Sequence, residues 1–138
     1  DPKKDIIFDW DKVMSLEGDS GPYLQYTYAR CKSVLEKTKV KEQKNINKIP
    51  EKIDKSEMNL IRELYKFEEK IIEAAERFSP SVIAEYILGV ARKYNEFYAK
   101  NWIINQKEEV WRVFLTRTTA SLIETGLDLL GIQTVEKM

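Results

Sequence analysis

Glycine and proline are scarce in this chain of 138 residues, and they lie between segments whose apolar residues recur every three to four positions. That spacing places apolar side chains on one face of an α-helix. No sustained alternation of apolar and polar residues occurs in the sequence, so strands are not predicted. The pattern predicts an all-α fold, a helical bundle of four long helices plus one short N-terminal helix, in a single domain over residues 1–138.

The predicted helices begin at recognisable capping signals. The short helix lies within residues 8–16, and the second helix runs from residue 22 to about residue 38. Asp54-Lys-Ser-Glu57 has the spacing of a capping box and starts the third helix. Ser79-Pro80 starts the fourth, and the fifth runs from residue 107 or 108 to residue 130.

A basic segment separates the second and third predicted helices. Residues 39–54 have no helical or strand periodicity, and residues 28–55 contain nine basic and four acidic side chains. Such a segment has little apolar surface to bury and carries like charges that repel one another. The sequence therefore predicts a mobile basic loop near residues 39–54.

Composition excludes several kinds of site. The sequence has no histidine and one cysteine, which excludes a histidine-based triad, a histidine-ligated metal, an internal disulfide and a cysteine zinc cluster. Lysine plus arginine equals aspartate plus glutamate at 23 each, so no chain-wide basic footprint for nucleic acid exists. No apolar run reaches the ~18 residues of a membrane helix, and no membrane partner is predicted. The single thiol and many lysines favour the cytoplasm.

Two further features favour structural interpretations. The third predicted helix carries an acidic patch, which comprises Glu68, Glu69, Glu73 and Glu76. Such a patch could suggest a metal site. Because basic residues are interspersed with it, the patch is interpreted as a solvated helix face. Cys31 lies within an apolar stripe and is interpreted as a buried structural thiol.

Aromatic residues cluster at two helix ends and leave two interpretations open. Tyr23 and Tyr26 lie at the start of the second predicted helix, and Tyr98 lies at the end of the fourth, near Trp102. Such residues can pack the end of a bundle core. Beside Arg30 they can also stack on unpaired nucleic-acid bases.

Two motifs at opposite ends of the chain carry a family resemblance. One is Gly18-Asp-Ser-Gly-Pro-Tyr-Leu-Gln-Tyr26, and the other is Gly126-Leu-Asp-Leu-Leu-Gly-Ile132, followed by Val135-Glu-Lys-Met138. In this order they resemble the start and end of the C-terminal helical domain of class I arginyl-tRNA synthetases, the DALR anticodon-binding domain. The resemblance covers essentially all 138 residues and implies an all-helical bundle.

The resemblance also implies a function and a site. The domain would recognise the anticodon stem and loop of tRNA-Arg. By position, the resemblance places Tyr23, Tyr98 and Met138 around the middle anticodon base. The segment that approaches the anticodon loop would comprise Gly18, Asp19, Ser20 and Gly21. The neighbouring aromatic and basic residues complete the predicted RNA-binding set, namely Tyr26, Arg30 and Trp102.

The nucleotide-binding signatures of class I synthetases, of the HIGH and KMSKS type, are absent from this sequence. We therefore expect no cofactor in this domain, with ATP and Mg²⁺ belonging to the catalytic domain of the parent enzyme, an arginine–tRNA ligase. Besides tRNA-Arg, that catalytic domain is the other expected partner, and it would lie upstream of Asp1. DNA is not an expected partner. The chain alone is not expected to aminoacylate tRNA. The alternative function is a non-catalytic helical protein–protein docking module.

Overall fold

The computed structural model describes residues 9–14, 18–40, 49–135 and 137, with the side chains of residues 12 and 13 excepted. Helices account for most of these residues, and none of them forms a strand. The helices are α1 (Trp10–Val13), α2 (Gly21–Lys37), α3 (Lys55–Leu64), α4 (Phe67–Glu76), α5 (Pro80–Lys100) and α6 (Glu109–Leu129). The prediction of an all-α bundle is confirmed. Within the same residues, no helix is long and apolar enough to span a bilayer.

Helix α5 is the central element of the bundle. It contacts four of the other helices, namely α2, α3, α4 and α6. Its inward face is fully buried at Ile87, Val90, Tyr94 and Phe97, as the periodicity predicts. Because α2 and α5 lie in contact, side chains at the start of α2 can meet side chains in the C-terminal half of α5.

Side chains cap the starts of α2 and α3, and the cap of α3 is the predicted capping box. The Ser20 hydroxyl accepts a hydrogen bond from the backbone N–H of Tyr23 at 3.1 Å. Asp54 and Glu57 form the complete capping box at α3. These contacts form within four residues of sequence, which is why the capping pattern alone predicts them.

The third predicted helix is interrupted. Its two halves are α3 and α4, separated by a turn at Tyr65 and Lys66, where the Lys66 N–H bonds to Glu63 rather than one residue further back. A tighter turn rotates the residues that follow it relative to a continuous α-helix. In one continuous third helix, the apolar spacing predicts Ile72 and Ala75 on the same side as Leu60. In the structure both are exposed, and Ala74 is buried instead.

The predicted loop lies partly outside the described residues, because residues 41–48 are among those excluded. At its two ends, Val40 and Ile53 pack against the hydrophobic core. The mobility of the segment between them stays a prediction.

Helices α5 and α6 approach most closely at Gly126. A Cβ atom added there would lie 2.4 Å from Cγ2 of Ile87, which is fully buried. Alanine is the better helix former by about 1 kcal/mol. Overpacking a dense core costs about 1–3 kcal/mol. We expect Gly126→Ala to lower the free energy of unfolding by up to about 2 kcal/mol, measured by urea denaturation.

Gly21→Ala provides the matched control for this substitution. A Cβ atom at Gly21 would meet no atom within 4 Å. We therefore expect unchanged or slightly raised stability for this variant. Equal stabilities for the two variants would contradict the close packing of α5 on α6.

Candidate nucleic-acid interface

Arg30 of α2 lies between two tyrosine rings. Its Cζ atom is 4.7 Å from the ring centroid of Tyr26 and 4.8 Å from that of Tyr98 on α5. Its Nη2 also donates a hydrogen bond to the Tyr26 hydroxyl at 2.8 Å. The guanidinium therefore contacts two aromatic rings, an arrangement stabilised by cation–π attraction.

Asn95 of α5 connects Arg30 to Tyr23. Its Oδ1 accepts a hydrogen bond from Arg30 Nη1. Its Nδ2 donates to the hydroxyl groups of Tyr23 and Thr27, each at 2.9 Å. The network fixes Arg30 and Tyr23 relative to α5. Asn95 is not among the site residues predicted from the sequence, although it lies three residues before Tyr98 and therefore near it on the helix surface.

The Arg30 side chain forms part of a cleft of about 410 Å³, here called the tyrosine cleft. Its lining residues are Tyr26, Ala29, Arg30, Ser33, Glu36, Tyr98 and Lys137. The cleft combines aromatic surface with a carboxylate acceptor and two cationic donors. Tyr98 is 40% exposed, so one of its edges is accessible to a ligand.

A second cleft of about 610 Å³, here called the tryptophan cleft, adjoins the first and shares Ser33 and Tyr98 with it. Trp102 lines it and is 82% exposed, and Lys37 and Lys100 lie at the same site. The two clefts together form a continuous surface on which more than one planar base could stack.

The C-terminal tail returns along α2. Gly131 has φ of 71°, and the Ile132 N–H bonds to the carbonyl of Leu127 at 2.9 Å, which ends α6 with a reversal of the chain. The Gln25 side chain then donates to the Gln133 carbonyl at 3.1 Å. The tail thus reaches the tyrosine cleft, where Lys137 is a lining residue.

The predicted site residues are placed as follows. Tyr26, Arg30 and Tyr98 meet in the tyrosine cleft, and Trp102 lines the adjoining one. Tyr23 does not line either cleft. Its hydroxyl accepts a hydrogen bond from Asn95, which also bonds to Arg30. Met138 lies outside the described residues, so its contact with the tyrosines stays a prediction.

The predicted loop over residues 18–21 is one residue shorter in the structure, because Gly21 is the first residue of α2, and the remaining residues are attached to the same face of α5. Asp19 forms an ion pair with Arg92, which precedes Asn95 by three residues on α5. Gly18 has φ of 84°, a conformation that glycine adopts without strain. Since three residues of a helix rise by about 4.5 Å, this attachment lies about one turn from the Asn95 network.

The acidic patch is exposed on α4. Glu73 pairs with Lys70 at 2.6 Å and with Arg77 at 2.7 Å, while Glu68, Glu69 and Glu76 face solvent. Across the part of the chain that the structure describes, no group of three or more histidine, cysteine, aspartate or glutamate side chains could hold a metal ion.

Cys31 is completely buried, as the sequence predicts. Burial raises the pKa of its thiol to about 12. At pH 8 the native thiolate fraction is therefore roughly a thousandfold below that of an unperturbed thiol. We expect a disulfide reagent to leave the native protein unlabelled at pH 8 and to label it fully in denaturant. Rapid native labelling would contradict this burial.

The raised pKa of Cys31 also predicts that the stability of the folded protein depends on pH. Because the pKa of Cys31 is raised on folding, the unfolded chain loses its proton first as the pH increases. The contribution of Cys31 to stability is present below about pH 9 and declines between about pH 9 and 12.

A family model described as the DALR anticodon binding domain matches residues 24–138. Arginine–tRNA ligase of Halothermothrix orenii is 42% identical over 137 residues, covering 98% of this chain and 24% of the relative. The Clostridium kluyveri enzyme of the same name is 38% identical over 143 residues, covering 99% of this chain and 25% of the relative.

A solved structure of Thermus thermophilus arginyl-tRNA synthetase superposes with a TM-score of 0.83 at 34% identity, covering 99% of this chain and 24% of the other. The Plasmodium falciparum arginyl-tRNA synthetase superposes with a TM-score of 0.79 at 25% identity, covering 95% of this chain and 23% of the other. The chain spans about a quarter of the length of the curated relatives cited above.

Proposed function

Since this chain belongs to the DALR anticodon-binding domain family, we propose that it binds the anticodon stem and loop of tRNA-Arg. The observation that carries the site is the contact of Arg30 with the rings of Tyr26 and Tyr98 in the lining of one cleft. A base that leaves the anticodon stack needs an aromatic or apolar surface, and such stacking contributes about 1–3 kcal/mol per base.

The polar groups of the tyrosine cleft match the Watson–Crick edge of cytosine. That edge has one donor, the N4 amino group, and two acceptors, N3 and O2. Glu36 supplies an acceptor, and Arg30 and Lys137 supply donors. The middle base of the arginine anticodon, a cytosine, is therefore the proposed occupant.

Phosphate attraction would come from local charge, since the chain as a whole is neutral. Lys37 and Lys100 line the tryptophan cleft, and Lys137 lines the tyrosine cleft. Neutralising phosphates releases counterions from the RNA, so binding should weaken as the salt concentration rises.

We further propose that the chain acts as one domain of a longer cytoplasmic arginine–tRNA ligase. The catalytic domain of that protein would bind ATP and Mg²⁺ and transfer arginine to the tRNA. On this proposal, arginine-dependent exchange of pyrophosphate into ATP is expected from the longer protein and not from these 138 residues.

A titration tests the proposed RNA-binding function. We expect the anticodon stem-loop of tRNA-Arg to bind more tightly than a stem-loop of the same length with a scrambled anticodon. A third stem-loop, changed only at the middle anticodon base, tests the proposed occupant of the tyrosine cleft. Equal affinity for the native and scrambled stem-loops would contradict the proposal and favour the docking-module alternative.

A further inference from the structure

Trp102 combines a fixed backbone with an exposed side chain. It lies in the segment between α5 and α6, and its indole is 82% exposed, while the next residue, Ile103, is 5% exposed. A large exposed aromatic side chain adds little to the stability of its own fold. The contacts of its backbone therefore bear on how the indole is presented to a ligand.

Arg112 of α6 holds that backbone. Its Nη1 donates a hydrogen bond to the carbonyl of Trp102 at 2.7 Å. Its Nε donates to Glu57 Oε1 at 2.9 Å, and the Glu57 side chain is 2% exposed. One guanidinium thus joins the Trp102 backbone to a buried carboxylate at the start of α3.

The same carboxylate is fixed by the capping box of α3. Glu57 Oε2 accepts a hydrogen bond from the backbone N–H of Asp54 at 2.9 Å. One residue before Trp102, the Asn101 side chain donates to the hydroxyl of Ser56 at 2.8 Å. The Trp102 segment is therefore tied to the start of α3 at two neighbouring points.

We propose that Arg112 is a positioning residue for RNA binding, which holds Trp102 so that its indole presents a stacking surface in the tryptophan cleft. This inference rests on the proposed function. Arg112 does not contact the RNA in this arrangement and acts through the backbone of Trp102.

The guanidinium is suited to this role because it presents several donors in a rigid plane. Two of them reach the Glu57 carboxylate and the Trp102 carbonyl simultaneously. A lysine retains the charge that Glu57 requires but presents a single nitrogen. Arg112→Lys should therefore keep the buried ion pair and remove the hydrogen bond that holds the Trp102 carbonyl, while the Asn101 side chain still bonds to Ser56.

A double-mutant cycle in the full-length protein tests this assignment. We expect Arg112→Lys to weaken binding of the tRNA-Arg anticodon stem-loop by about three- to tenfold and Trp102→Ala to weaken it by about tenfold or more. In the Trp102→Ala background, Arg112→Lys should cause no further loss. Arg117→Lys is the matched control, the same exchange five positions along α6, and should leave the affinity unchanged.

A second measurement does not depend on RNA. In protein labelled with 5-fluorotryptophan, the ¹⁹F resonance of Trp102 is identified by its disappearance in Trp102→Phe. We expect one sharp resonance for the wild type and a broadened or divided one for Arg112→Lys.

The outcomes separate the two levels of inference. Equal losses from Arg112→Lys with and without Trp102, or an unchanged Trp102 resonance, would overturn the positioning role. If neither Arg112→Lys nor Trp102→Ala changes the affinity while the wild type distinguishes native from scrambled anticodons, the positioning role is wrong and the proposed function stands. If the wild type does not distinguish them, the proposed function fails, and with it the role of Arg112 in RNA binding.

Discussion

Tyr98→Ala is expected to weaken binding of the tRNA-Arg anticodon stem-loop by roughly ten- to a hundredfold. Tyr98 is shared by the two clefts, so its removal takes stacking surface from both. It also uncovers one face of the Arg30 guanidinium, whose Cζ lies 4.8 Å from the Tyr98 ring centroid. The dissociation constant, measured by fluorescence anisotropy of a labelled stem-loop, gives the effect directly.

Tyr65→Ala is the matched control. Tyr65 lies at the turn between α3 and α4 and is 90% exposed, so its removal changes little packing. Because Tyr98 is itself 40% exposed, both variants should keep the unfolding midpoint of the wild type within a few degrees. Equal affinities for the two variants would show that the RNA does not occupy the clefts at Tyr98.

The sequence predicts those parts of the fold that depend on short-range chemistry. The caps at Ser20 and Asp54 involve residues within three positions of each other, and the buried face of α5 follows from regular spacing. The turn at Tyr65 and Lys66 is different. It contains neither glycine nor proline, and both residues are compatible with a helix. Nothing local marks the interruption.

The resemblance predicts that Tyr23, Tyr98 and Met138 lie together, but the contacts between helices in the tyrosine cleft are not predicted from the sequence. Tyr26 and Arg30 lie on one helix at a spacing of four, so their contact follows from helix geometry. The contact of Tyr98 with Arg30 depends on how α2 packs against α5. The role of Asn95 depends on the same packing, because its partners lie more than 60 positions away.

Arg112 illustrates a second reason why sequence patterns miss such residues. A charged side chain on a helix is usually solvated, so sequence alone predicts that such a residue faces solvent. Glu57, its partner, is 55 positions away and is recognisable from sequence only as part of a capping box. That the same carboxylate also holds Arg112 follows from the packing of α3 beside α6.

Arg30 provides the second large effect. We expect Arg30→Lys to weaken stem-loop binding by about tenfold or more, because an ammonium group lacks the planar surface that stacks between Tyr26 and Tyr98. Lysine also cannot reproduce the simultaneous hydrogen bonds to Asn95 and to the Tyr26 hydroxyl. The positive charge is retained, so the dependence of log Kd on log salt concentration should keep its slope.

Arg30→Gln separates charge from shape at the same position. It should lose at least as much affinity as Arg30→Lys, and if Arg30 also faces a phosphate, the salt slope should fall by about 1. Arg62→Lys on the exposed face of α3 is the matched control and should bind as the wild type does. If Arg30→Lys binds with wild-type affinity while Arg30→Gln does not, Arg30 acts as a point charge alone. The stacked guanidinium would then have no part in holding a base, and the tyrosine cleft would need another donor for the cytosine edge.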